Sequence, residues 1–209
     1  VSVISSTNCS CPKRLPQLLF PTACSKWESI YTHDELDWST IHLLPYTVAR
    51  ETFLQSFHFK VIHRYLACQS NLYKWKKAPS PSCLSCGIVD SIEHHLFLCV
   101  RLQHFWDELF TWLASIFSVR IDFGVTDIIF GLKNENEDIT IHVFNYCILY
   151  AKYYIYSSKV NEKRVCLSDY KSGIKIRLEI EKYIATSQNK LKDYNSTWNL
   201  ILMNLSKVP

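Results

Sequence analysis

Cys83, Cys86, His94 and Cys99 stand in the pattern Cys-x2-Cys-x7-His-x4-Cys near the middle of a 209-residue chain. Thiolates two residues apart can turn back onto one cation. An imidazole and a third thiolate then complete a closed tetrahedron, so the spacing predicts a structural site for Zn2+. A closed site leaves no coordination position for a substrate. It ties residues 83–99 into one module and performs no chemistry. The chain is long enough to bury a real core around that module, as one large domain or two small subdomains.

The pattern leaves the histidine open. Asp90-Ser91-Ile92-Glu93 reads as a helix start, with a capping acceptor and Glu93 three residues later. In an unbroken helix His95 and Cys99 share a face, whereas His94 and Cys99 are roughly 140° apart. Helix geometry by itself favours His95. His94 requires the helix to end or loosen before Cys99.

The flanks of the module point to its partner. The net charge of +4 is unevenly spread: no Asp or Glu lies between Thr52 and Val89, a stretch that carries Lys60, Arg64, Lys74, Lys76 and Lys77. Tyr73 and Trp75 alternate with the lysines, which offers stacking on unpaired bases as well as charge attraction. Lys60, Arg64, Tyr73, Lys74, Trp75, Lys76 and Lys77 are therefore the candidate nucleic-acid surface, with RNA or DNA as partner. Packing in the core or on the module is the competing role for the two aromatics. A second basic excess lies between Lys152 and Lys192, with ten Lys or Arg against four acids. His58 and His63 read as packing or surface residues, and Trp106 as core. Lys152 and the Tyr153–Tyr156 cluster lie on a helix apolar enough to pack.

Nine cysteines in a secreted chain would suggest a disulfide scaffold. Here the number is odd, no signal-peptide pattern precedes them and three sit at metal spacing, so a reducing, intracellular setting is expected, in cytoplasm and nucleus. Cys68, Cys147 and Cys166 read as buried or partly buried small residues, while Cys9, Cys11 and Cys24 carry at most a weak second metal pattern. No apolar run approaches transmembrane length, so no membrane partner is expected. The single Met is Met203 and the chain begins at Val1, which suggests a piece of a longer product. No nucleophile–base set or phosphate loop is visible, so a non-catalytic chain without a small-molecule substrate is expected.

Helical periodicity organises the rest. Residues 1–22 read as an irregular lead-in, 23–120 as a helical linker plus the zinc module, and 121–209 as a C-terminal helical region. Helices are expected near Trp27, over Trp38–Ala49 with an interruption at Pro45, and over 50–66. There Leu54, Phe57, Val61 and Tyr65 share one face, and Lys60, His63 and Arg64 the other. Asn71–Ser82 reads as a connector. Further helices are expected over 102–117, Ile139–Ser157, Leu167–Ser187 and Lys190–Leu205, with Val125–Phe130 either a strand or a helical turn. The fold class is mainly α: a helical domain with an inserted CCHC zinc-knuckle-like module.

The run Cys-Leu-Ser-Cys-Gly, then Asp90-Ser91-Ile92-Glu93-His94, then Cys99 and Gln103-His104-Phe105-Trp106 resembles the zinc-binding C-terminal region of non-LTR (LINE-type) retrotransposon reverse transcriptases. Upstream, Asp37-Trp38 through Pro45, Thr52 and Phe57–Arg64 resemble the helical segment that joins the polymerase thumb to that module. Ile129-Phe130-Gly131, Ala151–Tyr156 and Trp198-Asn199 resemble the C-terminal tail. The likeness implies His94 as the ligand and a module that helps engage template RNA or target DNA. It also implies an upstream polymerase domain of the same parent protein as a partner. The family's catalytic aspartate pair is missing, since the chain contains no Asp-Asp, which implies an active site outside these residues.

Overall fold

The periodicity of the chain becomes helix almost throughout. The computed structural model describes residues 21–32, 36–119 and 122–205; the lead-in up to residue 20, with Cys9 and Cys11, lies outside the described residues. In chain order the helices are α1 (Pro21–Ile30), α2 (Trp38–Val48), α3 (Thr52–Ile62), α4 (Gln69–Lys74), α5 (Val100–Phe117), α6 (Val125–Phe130), α7 (Ile139–Val160), α8 (Leu167–Ser187) and α9 (Leu191–Leu205). A π-helical turn, His94–Leu98, precedes α5. Among the described residues the only extended pairing is an isolated bridge between Ser82 and Val89. The fold is mainly α, with a Cys/His cluster set among its helices.

Helix α7 organises the packing. Its residues 143–152 are all buried, as expected of a helix that is apolar on every side. It packs against α2, α3, the π turn, α8 and α9. The helices α8 and α9 form a hairpin that also touches α5. One continuous hydrophobic core runs from Trp27 to Leu205, and residues on both sides of position 120 contribute to it.

Pro45 does not interrupt α2. A proline inside a helix has no N–H for the carbonyl four residues earlier, here that of Ile41. His58 of α3 takes up this orphan acceptor: its Nε2 lies 3.3 Å from Ile41 O in a fully buried position. Burial pushes the His58 pKa well below its ordinary value, so the ring is neutral and donates through Nε2. Two residues the sequence leaves unrelated thus complete one hydrogen bond.

Helix α3 ends earlier than its periodicity suggests. Arg64 adopts φ +59 and breaks the helical run. Tyr65, expected on the apolar face, is therefore exposed, while His63, expected on the polar face, is buried with its ring 4.1 Å from that of Phe59. The connector expected over Asn71–Ser82 begins as helix α4. Val125–Phe130 resolves as helix. Lys152 is fully buried and donates to Ile129 O at 2.8 Å, so it is a packing residue.

Candidate metal centre

Cys83 and Cys86 lie on a tight turn whose base is the Ser82–Val89 bridge. Cys83 N–H donates to Ile88 O at 2.7 Å, and Gly87 N–H donates to Cys83 O at 2.9 Å. Closing so short a turn needs a left-handed residue, and Gly87 supplies it at φ +78. The peptide N–H groups of Ser85 and Cys86 favour the Cys83 thiolate.

The other two ligands come from the π turn. Cys99 N–H donates to His94 O at 3.1 Å, a bond spanning five residues where an α-helix spans four. The extra residue in the turn swings position 99 back beneath position 94. This is the loosening that His94 requires, and it reverses the preference of regular helix geometry for His95. The helix start differs as well. Ser91, not Asp90, caps it: Ser91 Oγ accepts from His94 N–H at 3.2 Å.

Cys86 Sγ lies 3.2 Å from His94 Nε2, Cys83 Sγ 4.0 Å from Cys99 Sγ, and Cys99 Sγ 3.9 Å from Cys86 Sγ. All four candidate ligand atoms fall within 4.8 Å of one another. Metal–sulfur bonds of about 2.3 Å in a tetrahedron give sulfur–sulfur edges of about 3.8 Å. The observed edges fit that shape and far exceed a disulfide bond of about 2 Å; all three cysteines are free. Three sulfurs and one ring nitrogen at these distances can hold one metal ion.

Asp90 organises the surroundings from a buried position. Its Oδ1 lies 3.1 Å from His94 Nδ1 and its Oδ2 2.8 Å from His95 Nδ1. A proton held on His94 Nδ1 leaves Nε2 free to ligate, the usual carboxylate–histidine–metal relay. Oδ2 also accepts Gln69 N–H at 2.9 Å. Burial opposes the carboxylate, but hydrogen bonds and charge from His95, then Gln69 N–H and His94, hold its pKa below the usual carboxylate range. Burial outweighs Asp90 at His95 and lowers the pKa of that ring, whose Nε2 is buried without a hydrogen-bond partner among the described residues.

The thiols are not equivalent. Burial pushes Cys99 up to about 11. At Cys83 burial acts in the same direction, but the N–H groups of Ser85 and Cys86 and the Cys86 thiol outweigh it and lower the pKa. Lys159, from α7, favours the thiolate at both sites. Its Nζ donates to His95 O at 2.7 Å, which places an ammonium beside the centre. Nothing local in the sequence signals Lys159. Asp90 was legible only as a helix cap, although a carboxylate four residues before a ligand histidine is itself a signal.

The residues expected to touch nucleic acid divide into groups. Tyr73 and Trp75 are 50% and 43% exposed, and Lys74, Lys76 and Lys77 are exposed beside them on α4 and the turn after it. The two aromatics are not core residues. Lys60 is exposed on α3. Arg64 is engaged internally: its guanidinium lies 4.0 Å over the Trp27 ring and 3.5 Å from Glu93 Oε1. Among the described residues no helix is long and apolar enough to cross a membrane.

No model of a known protein family matches the chain, and no curated protein matches it.

Proposed function

We propose that this chain is a zinc- and nucleic-acid-binding C-terminal module of a non-LTR retrotransposon reverse transcriptase, assisting engagement of template RNA or target DNA without catalysing a reaction. The carrying observation is the exposed run Tyr73–Lys77 beside a Cys3His centre, within a stretch free of acids. Zn2+ is the ion that best suits three thiolates and one imidazole in a closed tetrahedron. Lys74, Lys76 and Lys77 neutralise phosphates, Tyr73 and Trp75 stack on unpaired bases, and Lys60 extends the charge. In this reading the polymerase domain of the parent protein supplies the chemistry.

A titration of the zinc-loaded protein with single-stranded RNA, single-stranded DNA and an RNA–DNA hybrid across a salt series tests it. Each phosphate contact on a single strand contributes about 0.7 to the slope of log affinity against log salt. Replacing Lys74, Lys76 and Lys77 together by Gln is expected to flatten the slope by about 2. No binding at low salt by folded, loaded protein overturns the reading.

One observation favours a second reading, a domain that braces a polymerase or recruits a protein. Ile176, Ile180 and Tyr183 recur at helical spacing on α8 and are all more than half exposed. Replacing Ile180 and Tyr183 by Asp separates the two: it abolishes a protein association and leaves the salt slope unchanged.

A further inference from the structure

We propose that Asp90 makes the metal centre and helix α4 one coupled unit, so that loading the metal orders the Tyr73–Lys77 platform. The consequence for strand binding rests on the function proposed above; the coupling itself does not.

The argument begins with the weakness of α4. Six residues are too few to hold a helix in water by their own hydrogen bonds. The first N–H groups of any helix lack intrahelical partners, and here the residue at the cap position, Cys68, supplies no side-chain acceptor. Asp90 supplies both missing acceptors from outside the helix. Its Oδ2 takes Gln69 N–H at 2.9 Å, and its backbone O takes Ser70 N–H at 3.3 Å. A carboxylate beside a helix N-terminus is also favoured by the helix dipole.

The same carboxylate faces the ligand histidine. A cation on His94 Nε2 fixes the ring and leaves Nδ1–H as a strengthened donor toward Asp90 Oδ1. The two oxygens of a carboxylate move as one rigid group, so fixing Oδ1 fixes Oδ2 and, with it, the start of α4. His95 steadies Oδ2 at 2.8 Å, and its own backbone is held by Lys159. Elsewhere α4 is anchored by Asn71, whose Nδ2 donates to Arg64 O and Leu66 O. Loss of the Asp90 contacts therefore frees the helix start and leaves the surrounding fold in place.

Amide hydrogen exchange over residues 69–77, read on the full chain with Zn2+ and after chelation, tests the coupling. Zinc is expected to protect these amides at the same midpoint at which it protects residues 83–99. In Asp90→Asn, zinc affinity measured by chelator competition should fall about 10–100-fold. Protection of 69–77 should fall at least tenfold even at saturating zinc, while α5 and α7 keep theirs. Unchanged protection of 69–77 in the saturated variant, or zinc affinity within twofold of the parent, overturns the proposal.

If Asp90→Asn does not fold, the wild-type protein decides by itself. Amides 69–77 that stay protected after chelation, while 83–99 become exposed, overturn the coupling. An RNA oligonucleotide that binds in no state, while protection follows zinc, supports the coupling and removes the proposed function alone.

Discussion

His94 and His95 are the same side chain at adjacent positions, and a backbone hydrogen bond decides between them. The bond from Cys99 N–H to His94 O turns His94 toward the sulfurs, while His95 meets the outer oxygen of Asp90. His94→Gln is expected to shift the d–d bands of the cobalt-substituted protein and lower its affinity for the metal, whereas His95→Gln keeps the bands and weakens metal binding less. The reverse pattern would assign the ligand to His95. A divalent ion with three thiolates carries one net negative charge, and Lys159 is the cation beside it. Lys159→Gln should release zinc to a chelator several-fold faster, and Lys159→Arg should restore the slower rate. Equal rates in all three proteins would show that the charge has no part in retention.

At the scale of elements, departures from regular helix carry the interesting contacts. The π turn assembles the site, the left-handed Arg64 ends α3, and Pro45 leaves the acceptor that His58 fills. Helix α8 shows the opposite case, a regular helix that depends on a missing side chain. At Gly173 a Cβ would meet the Tyr150 hydroxyl at less than contact distance. Tyr150 cannot swing aside, because its ring packs on Tyr170 at 5.3 Å and under the Arg177 guanidinium at 4.9 Å. Gly173→Ala gains about 1 kcal/mol of helix propensity. Overpacking costs about 1–3 kcal/mol, so the net effect is a loss of stability. Thermal unfolding measures it, and a variant more stable than the parent would contradict the packing of α8 on α7.

Over the whole molecule, the core shared by both halves of the chain contains a buried amine. Burial lowers the Lys152 pKa from 10.5 to about 7. Between those values the unfolded chain holds a proton that the folded protein lacks. Stability therefore falls as the pH drops from about 10 to 7 and levels off below, with a slope approaching about 1.4 kcal/mol per pH unit. Above about pH 9 ionisation of Cys147 in the unfolded chain offsets this trend, since burial pushes that thiol up to about 12 in the fold. Lys152→Met should flatten the profile between pH 7 and 9, read by urea unfolding with zinc held saturating. A profile that keeps its slope in that variant would place the titrating group elsewhere.

The three cysteines, the helix content and the basic, aromatic stretch beside the knuckle were legible from residue types and local spacing, whereas the choice of His94 over His95 rests on the π turn, against the preference of regular helix geometry. Cys-x2-Cys turns back on itself in any fold, and the apolar periodicity of α5, α8 and α9 specifies a helix before any partner is known. Contacts between residues far apart in the chain were decided by tertiary packing alone. Lys159 reaching His95, Asp90 capping α4, His58 answering Pro45 and Arg64 lying over Trp27 join positions that share no local pattern. The reason is physical. A buried polar group must find a partner wherever packing brings one, and that address exists only once the chain has folded.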